Sequence, residues 1–364
     1  MSLRILHLSD THLLAERARH YGKIDTSGLL EAAVTGAGEL APCHAIVISG
    51  DISDDGTPAS YAFAAQTLAP LAQRWGAPVI WACGNHDRRA AMREALDLPG
   101  APLDPIFSIT DITVGEARWR FVAADSSVPG RGFGYLGEQI HRIEDAVTNA
   151  NSAPTMDVAP MAGEAPTAGG APAAGGAPSP AGAGGYFHGA GDEPLRSVLV
   201  LHHPPLAAPT VLHGALRLMD APRLAQGFQS WEVAPDLVLA GHYHLAGRGR
   251  AGGVPVVVGP ALANETTLGR GPEWESARAR SAFSVVQLSE ASIQQDITYL
   301  DGSVAAPSGG IEPGEEIFAY SPEEVVTIGR RAGRPGWSPS DPLAWDGPGS
   351  YLLENTLGTG SKGQ

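Results

Sequence analysis

The sequence is poor in cysteine, and this limits what can hold the fold together. Its 364 residues include two cysteines, Cys43 and Cys83, which are too few for a disulfide framework. We therefore expect free thiols and a cytoplasmic protein. The apolar fraction of 43% is enough for a sizeable core, in one large domain with attachments or in two small domains.

Basic residues are also scarce. Lysine and arginine number 24 against 39 aspartates and glutamates, which gives a formal net charge of −15. A protein that follows a nucleic-acid backbone needs a basic footprint, and anionic membrane surfaces attract basic segments. We therefore expect neither a nucleic-acid polymer nor an anionic membrane surface as a partner.

Long hydrophobic runs are absent as well. The longest apolar stretches, such as 197–201 and 254–258, are far shorter than the roughly 18 residues that indicate a membrane-spanning helix. Asp10 and His12 interrupt the first residues before the apolar region of a signal peptide forms. We expect no membrane span and no signal peptide, which agrees with a cytoplasmic location.

Alanine, glycine and proline dominate one internal segment. Between residues 158 and 185, 23 of 28 residues are of these three types, a composition that offers almost nothing to bury. We interpret 149–193 as a flexible insertion in a main domain that covers residues 1–305. Residues 306–364 form a predicted C-terminal extension, and the sequence leaves open whether it packs on the main domain or on a partner subunit.

The rest of the sequence alternates short apolar runs with helical patterns. Strands are predicted at 3–8, 45–49, 79–82, 119–123, 197–201, 236–239 and 254–258, with a closing hairpin at 283–288 and 294–300. Helices are predicted at 28–40, 58–75, 135–147 and 322–331. The second helix has Thr57 as its N-cap and Pro58 at its first position. This alternation favours an α/β fold with a mostly parallel sheet.

Five polar clusters each follow directly on a predicted strand. They are Asp10-Thr11-His12, Gly50-Asp51, Gly84-Asn85-His86-Asp87, His202-His203-Pro204 and Gly241-His242-Tyr243-His244. Loops that leave the carboxyl ends of strands in an open α/β sheet converge on one crevice. Clusters that are far apart in the sequence can therefore meet at one point.

Seven side chains in these clusters are suited to bind metal ions. They are Asp10, His12, Asp51, Asn85, His202, His242 and His244. Such oxygen and imidazole donors suit Mn²⁺, Fe or Zn²⁺, and seven exceed the needs of one tetrahedral zinc. They fit two divalent ions if one carboxylate bridges them. Two ions about 3.5–4 Å apart, with a bridging hydroxide as nucleophile, form a clamp for in-line displacement at phosphorus.

The order of the clusters resembles that of a known family. The motifs D-x-H, G-D, G-N-H-D, H-x-P and G-H-x-H occur here as LHLSDTHL, ISGDI, CGNHD, LHHPPL and AGHYH. They are similar to the motifs of the calcineurin-like metallophosphoesterase superfamily. Tyr21-Gly22, the DSSVPG stretch at 125–130, the paired histidines and prolines and the C-terminal extension resemble, more narrowly, the bacterial class III cyclic-nucleotide phosphodiesterases. The resemblance covers residues 3–148 and 195–332.

The resemblance implies a fold and a role for each cluster. The expected fold is a four-layer α/β/β/α sandwich. One metal is expected on Asp10, His12 and His244, and the other on Asn85, His202 and His242, with Asp51 as the bridge. His86 is the expected proton donor to the leaving group, and it forms the catalytic set with Asn85 and Asp51.

The implied activity is hydrolysis of a small-molecule 3′,5′-cyclic nucleotide, cyclic AMP to 5′-AMP, by a homodimer. Alternatives are another small phosphodiester, such as a 2′,3′-cyclic nucleotide or a glycerophosphodiester, or a phosphomonoester. A non-catalytic scaffold on the same fold is disfavoured, because all seven ligand positions carry the expected residue types.

The sequence leaves the roles of some neighbouring residues open. His203 either supports the ligand His202 or points away from it. Asp87 either orients the ring of His86 or caps the helix that starts near Arg88, and the cap is favoured.

Four further polar residues lie outside the predicted ligand set. His20 and His213 are interpreted as exposed loop histidines, with the substrate entrance as the alternative. Asp125 is expected to be structural and close to the site. His141 is expected on a solvated helix face.

Overall fold

The computed structural model describes residues 2–149, 195–300 and 311–344. The predicted insertion at 149–193 lies outside the described residues, apart from residue 149. Within these three ranges, no helix has both the length and the apolar character that a membrane crossing needs.

The described residues form 14 strands and seven α-helices. The strands are β1 (Leu3–Leu8), β2 (Ala45–Ile48), β3 (Val79–Trp81), β4 (Phe107–Val114), β5 (Ala117–Ala124), β6 (Arg196–Val200), β7 (Leu237–Ala240), β8 (Gly247–Ala251), β9 (Val254–Val258), β10 (Glu265–Thr267), β11 (Glu275–Arg278), β12 (Ala282–Leu288), β13 (Ile293–Tyr299) and β14 (Glu316–Tyr320). The helices are α1 (Thr26–Gly38), α2 (Pro58–Trp75), α3 (Arg89–Leu96), α4 (Gln139–Thr148), α5 (Val211–Leu216), α6 (Ala221–Ser230) and α7 (Pro322–Ala332).

Most strands belong to two large sheets. The first has the order β13-β12-β1-β2-β3, and the second has the order β4-β5-β6-β7-β9-β8. The parallel strands are β1, β2 and β3 in the first sheet and β5, β6, β7 and β9 in the second. The other strands pair antiparallel and extend these blocks. Both sheets are therefore mixed, and the prediction of a mostly parallel sheet applies only to these blocks.

The two sheets pack face to face. Leu3 and Ile5 of β1 share a buried apolar cluster with Trp119 and Phe121 of β5. The other face of the first sheet packs on α1 and α2, and the other face of the second sheet packs on α4 and α6. Each sheet thus buries both faces, which confirms the predicted α/β/β/α layers.

The helices begin where their caps place them. Helix α2 covers the predicted residues because the side chain of Thr57 accepts a hydrogen bond from the Ser60 amide, and Gly76 ends the helix in the left-handed conformation. Helix α1 begins at Thr26 instead of residue 28, since Asp25 caps it. Helix α4 begins at Gln139, so residues 135–138 precede it.

The described part of the predicted C-terminal extension packs on the same chain. Strand β14 pairs with β11 in a small third sheet of order β10-β11-β14. Helix α7 packs against α5, and the carbonyl of Ala332 accepts a hydrogen bond from the Gly132 amide at 3.0 Å. Residues 311–344 thus belong to the surface of the sandwich, while the division of the chain at 305 and 306 stays a prediction.

Candidate metal centre

The five polar clusters leave the carboxyl ends of five parallel strands, three in the first sheet and two in the second. Asp10 and His12 follow β1, Asp51 follows β2, and Asn85 and His86 follow β3. His202 follows β6, and His242 and His244 follow β7. Because the two sheets pack face to face, the structure brings all these predicted site residues into one cluster, as the contacts below show.

The backbone at this edge turns sharply. Nine non-glycine residues in the described ranges have a positive φ. Five of them are predicted ligands, namely Asp10, His12, Asp51, His242 and His244. A residue in this sparsely populated region costs on the order of 1–3 kcal/mol, and such strain clusters at functional sites. The fold accepts this cost at the positions where side chains must turn from the strand into the crevice.

The first group of donors contains Asp10, His12 and His244. The Nε2 atoms of His12 and His244 lie 3.1 Å apart. The Nε2 atom of His244 lies 3.3 Å from Oδ1 of Asp10. One donor atom from each of the three residues lies within 4.8 Å of the others, which is close enough for a single ion.

The second group contains Asn85, His202 and His242. Nε2 of His202 lies 3.1 Å from Oδ1 of Asn85 and 3.2 Å from Nδ1 of His242. Two imidazoles and one amide oxygen thus converge on a common point. Such a donor set suits a borderline divalent metal and does not suit a soft thiolate-bound one.

Asp51 lies between the two groups. Its Oδ2 atom is 3.7 Å from Nε2 of His12 and 3.3 Å from Nε2 of His202. Its Oδ1 atom accepts a hydrogen bond from the His86 amide at 2.8 Å. One carboxylate oxygen therefore faces a histidine of each group, while the other oxygen fixes the orientation of the side chain.

The outward ring nitrogens of three of these histidines are held in place. Nδ1 of His12 contacts Oδ1 of Asp54 at 3.1 Å, Nδ1 of His202 contacts the Ser49 carbonyl at 2.9 Å, and Nε2 of His242 contacts the Leu216 carbonyl at 3.1 Å. Such contacts fix the tautomer, so that the inward nitrogen presents its lone pair. Metal-binding histidines in proteins usually have their other ring nitrogen occupied in this way.

Two glycines permit the close approach of these loops. A Cβ atom on Gly84 would overlap the backbone nitrogen and the carboxylate of Asp51. A Cβ atom on Gly241 would overlap the hydroxyl of Ser9 and lie 2.7 Å from Oδ2 of Asp10. The glycines in the G-N-H-D and G-H-x-H motifs therefore have a steric role.

Two carboxylates are buried in the cluster and keep their negative charge. Burial favours the neutral form of Asp10, but His244 and His202 outweigh it and lower the pKa of Asp10 to about 2. Burial acts in the same way on Asp51, and His202 and His86 hold its pKa well below the usual range. Anionic oxygens beside imidazole nitrogens are ligands for divalent cations, so the residues present fit metal binding.

His86 lies at the accessible edge of the cluster. Its side chain is 43% exposed, and its Nδ1 atom lies 3.0 Å from Oδ1 of Asp54. Burial lowers the pKa of His86, but Asp51 and Asp54 outweigh it and raise the pKa to about 9. With Nδ1 held by Asp54, Nε2 is the nitrogen that remains for a ligand in the crevice.

Asp54 is a site residue that sequence reasoning missed. Its carboxylate contacts His12, His86 and also Nδ1 of His20, the last at 3.4 Å. Asp54 follows Asp51 by three residues in the sequence GDISDD, where several aspartates are equally plausible. Its spacing to the GD motif was the signal that could have identified it, but its partners become visible only in the fold.

The structure corrects both interpretations of Asp87. Helix α3 has Arg88 as its N-cap and no side-chain cap, so the favoured assignment of Asp87 as the cap is wrong. The ring of His86 is held by Asp54 and not by Asp87. Asp87 instead accepts hydrogen bonds from the amides of Ser53, Ile52 and Gly84, and it ties the β2 loop to the β3 loop.

The other neighbouring histidines are also defined by their contacts. His203 is buried, contacts Ser126 and the Gly132 carbonyl, and its ring centroid lies 4.2 Å from that of His242, so it supports the centre. His20 and His213 are buried, and their interpretation as exposed loop residues is wrong. His213 contacts Glu275 at 3.4 Å and faces His242 edge-on.

Asp125 and His141 agree with their interpretations. Asp125 is buried and accepts hydrogen bonds from Arg89 and from the Ser127 amide near the site. His141 is exposed on α4.

Known proteins resemble this chain in sequence. A probable cyclic nucleotide phosphodiesterase from Rhodococcus erythropolis is 28% identical over 70% of this chain and 69% of the relative. A cAMP/cGMP dual specificity phosphodiesterase from Mycobacterium tuberculosis is 29% identical over 71% of this chain and 66% of the relative. A 3′,5′-cyclic adenosine monophosphate phosphodiesterase from Pseudomonas aeruginosa is 36% identical over 41% of this chain and 51% of the relative.

A solved structure resembles the chain in fold. A dimetal phosphatase from Danio rerio superimposes with a TM-score of 0.50 and 15% identity, over 81% of this chain and 95% of that one. The family model of calcineurin-like phosphoesterases matches residues 3–246, which include every predicted ligand. The family predicted from the motifs is thereby confirmed, and the chain belongs to the calcineurin-like phosphoesterases.

Proposed function

We propose that the chain is a class III cyclic-nucleotide phosphodiesterase that hydrolyses 3′,5′-cyclic AMP to 5′-AMP. The position of Asp51 carries this proposal. Its Oδ2 atom lies between His12 and His202, which belong to two separate groups of nitrogen and oxygen donors. A carboxylate shared between two such groups is suited to a pair of divalent ions.

The proposal assigns the seven donors to two divalent ions. Asp10, His12 and His244 would hold one ion and Asn85, His202 and His242 the other, with Asp51 shared between the two groups. Mn²⁺, Fe and Zn²⁺ are compatible with this mixed set. When bound, such ions would supply positive charge to the phosphate oxygens and would activate a water as the nucleophile.

The protein's own residues would position the diester and move a proton. The NH₂ group of Asn85 is available to donate a hydrogen bond to a phosphate oxygen while its Oδ1 faces His202. His86 stands beside it with Nδ1 fixed by Asp54, and its Nε2 donates a proton to the leaving oxygen. The leaving 3′-oxygen of a cyclic nucleotide is a poor leaving group, so this proton matters most for such a substrate.

The substrate class is supported by the relatives. Each of the three curated relatives reported above is named for cyclic-nucleotide hydrolysis. The net charge of −15 further disfavours a polymeric nucleic acid as the substrate. A cytoplasmic location and a homodimer remain part of the proposal.

The first experiment tests the shared carboxylate. We expect Asp51→Ala to lose the shared contact, to retain fewer than two metal equivalents and to lower turnover of cyclic AMP by at least about a thousandfold. Metal content by elemental analysis and the folded state by circular dichroism are measured together. Asp104→Ala, which changes an exposed aspartate outside the predicted ligand set, is the matched control.

The second experiment tests the substrate. Wild-type protein loaded with Mn²⁺ is supplied with cyclic AMP, 2′,3′-cyclic AMP, a glycerophosphodiester and a phosphomonoester, and the products are identified. The proposal expects 5′-AMP from cyclic AMP at the highest kcat/KM of the series. Fast cleavage of the glycerophosphodiester beside negligible turnover of cyclic AMP would exclude it. A folded protein without bound metal after Mn²⁺ loading would indicate a scaffold.

A further inference from the structure

A row of rings leads from the candidate metal centre to the C-terminal strand β14. The ring of His20 stacks on that of His12, with centroids 4.8 Å apart and an angle of 27° between the planes. Tyr21 follows at 4.1 Å from His20, and Phe318 at 5.3 Å from Tyr21. Tyr320 stacks on Phe318 at 4.7 Å, with 23° between the planes. The row therefore begins at a predicted metal ligand and ends in the C-terminal extension.

The outer three rings of this row are exposed or half-buried. Tyr21 is 51% exposed, and Phe318 and Tyr320 are half-buried. The large aromatic side chains of the core, such as Trp119, are almost fully buried. We call Tyr21, Phe318 and Tyr320 the aromatic ledge. Three partly exposed rings next to a polar crevice form a surface that is suited to bind a flat apolar partner.

A small apolar cluster and one hydrogen bond fix the aromatic ledge to the rest of the protein. Ile24 and Ile317 share a small buried apolar cluster with Ala277 of β11, and Phe318 packs against this cluster. Lys23 donates a hydrogen bond to the Ile317 carbonyl at 3.1 Å. The loop that carries Tyr21 and the strand that carries Phe318 are thus held together, so the ledge is preformed.

The aromatic ledge also lies beside the metal centre, because the ring of His20 contacts both the predicted ligand His12 and Tyr21. Oδ2 of Asp54 lies 3.4 Å from Nδ1 of His20, whose ring lies between those of His12 and Tyr21. Asp54 is the carboxylate that holds both His12 and His86. Asp54 thus contacts the row of rings at His20, and it also contacts the predicted metal ligand His12 and the predicted proton donor His86.

We propose that the aromatic ledge stacks the base of the nucleotide whose phosphate lies at the metal centre. This rests on the proposed function, and it deepens that function by assigning base recognition to Tyr21, Phe318 and Tyr320. Stacking of a base on an aromatic side chain contributes about 1–3 kcal/mol. Because every base has a flat face, the ledge recognises a nucleotide without discriminating strongly between adenine and guanine. A glycerophosphodiester, which has no ring, gains nothing from it.

The test compares two substrates that share the reacting group. One is cyclic AMP, and the other is the methyl riboside of the same 3′,5′-cyclic phosphate, which lacks the base. For Phe318→Ala we expect KM for cyclic AMP to rise about tenfold or more with kcat nearly unchanged. The kinetic constants for the methyl riboside, and both constants for Phe318→Tyr, stay close to those of the wild type.

Two further variants guard against a folding artefact. Tyr21→Asn removes the most exposed ring, and asparagine tolerates the φ of 52° at this position. This variant is also expected to raise KM for cyclic AMP and to leave KM for the methyl riboside unchanged. Tyr299→Ala removes an exposed ring of β13 outside the ledge. It should leave kcat and KM unchanged for both substrates. Thermal unfolding of each variant identifies a general loss of structure.

Equilibrium binding of 5′-AMP to the Mn²⁺-loaded protein separates the two proposals. Suppose that cyclic AMP is hydrolysed, but that Phe318→Ala and Tyr21→Asn change KM for cyclic AMP and for the methyl riboside equally, or change neither KM. The base assignment is then wrong and the proposed function stands. If cyclic AMP is not hydrolysed while 5′-AMP binds and its Kd rises about tenfold in these variants, the ledge stands and the function is wrong. If wild type neither hydrolyses cyclic AMP nor binds 5′-AMP, both proposals fail.

Discussion

Asp54 connects the residues that bind metal with the residue that moves a proton. Its carboxylate contacts Nδ1 of His12 and Nδ1 of His86, both at about 3 Å. Carboxylates that hold a ligand histidine in this way typically change metal affinity 10- to 100-fold when removed. A change at Asp54 should therefore affect both metal binding and the proton-transfer step, whereas a change at His86 should affect the second alone.

His86→Ala tests this division. The variant should retain its metals, because the side chain belongs to neither donor group, and should slow hydrolysis of cyclic AMP by about 10²- to 10⁴-fold. A nitrophenyl phosphodiester should be slowed much less, since nitrophenolate leaves without a proton. Steady-state kinetics on both substrates and elemental analysis of the purified protein measure the effect.

Equal slowing on the two substrates would count against His86 as the proton donor. Asp54→Asn is the companion variant, because it removes the charge that holds the ring and keeps the size of the side chain. It should show the same leaving-group dependence in weaker form, together with reduced metal retention.

The sequence predicted which side chains come together at the carboxyl ends of the strands, whereas their roles as ligands stay a prediction. Asp10, Asp51 and His242 were identified because each follows a strand and each is a metal-ligand type. Asp54 was missed and His20 was interpreted as an exposed loop residue, since their contacts run across loops and do not follow from their own spacing. The error for Asp87 has the same origin: its three amide partners belong to two different loops.

Secondary-structure elements were predicted well where burial determines them. Strands β1 and β6 are apolar runs in the centre of a sheet, and both appear at the predicted places. Strand β8, with the sequence GRGRA, has no such pattern and forms because it pairs with β9. Strands β4, β10, β11 and β14 were missed as well. Most of them are short or rich in polar residues, so their extended backbone depends on pairing with a neighbouring strand.

The β4–β5 hairpin contains the clearest test of an electrostatic contribution to stability. The guanidinium of Arg120 is buried in β5 and donates to both carboxylate oxygens of Asp111 in β4, at 2.8 and 2.9 Å. It also donates to the carbonyls of Ala146 and Asn149 at the end of α4. This arrangement ties the hairpin to the helix beside it.

Asp111→Asn should destabilise the fold by about 2–3 kcal/mol at pH 7, because it leaves a buried guanidinium without its counter-charge. Burial raises the pKa of Asp111, but Arg120 and Arg118 outweigh it, so the folded-state pKa lies below the ordinary value of 3.8. The stabilisation is therefore present above pH 3.8 and is lost as the pH falls through the folded-state pKa.

Urea unfolding of wild type and variant at pH 7, 5 and 3 measures this dependence. The difference in unfolding free energy should be constant between pH 7 and 5 and smaller at pH 3. Glu116→Gln, an exposed acid in the turn of the same hairpin, should show no difference at any pH. A difference that persists undiminished at pH 3 would assign the loss to packing instead of charge.

At the scale of the whole molecule, the predicted insertion is attached away from the metal centre. It follows α4, whose end is held at Asn149 by Arg120, and it precedes β6. The predicted ligand His202 follows the opposite, carboxyl end of β6. Arg120 pairs with Ser197 in the β5–β6 register, so both attachment points lie near this one residue.

Replacement of residues 150–193 by about ten Gly/Ser residues, which can span roughly 30 Å, should therefore preserve the enzyme. We expect kcat/KM within about twofold of wild type. Because each halving of a loop favours the folded state by only about 0.6 kcal/mol, Tm should be equal or slightly higher. A loss of activity in a variant with unchanged Tm would show that the segment takes part in catalysis.

The strand order of the first sheet has a consequence for how the protein is made. Strand β1 lies between β2, which follows it closely in the chain, and β12, which is more than 270 residues later. Strand β1 therefore gains its second neighbouring strand only after residues 282–288 have been synthesised. The donor group of Asp10, His12 and His244 is complete only once residue 244 of the 364 has been synthesised, so a shorter nascent polypeptide lacks the full set of donors for this ion.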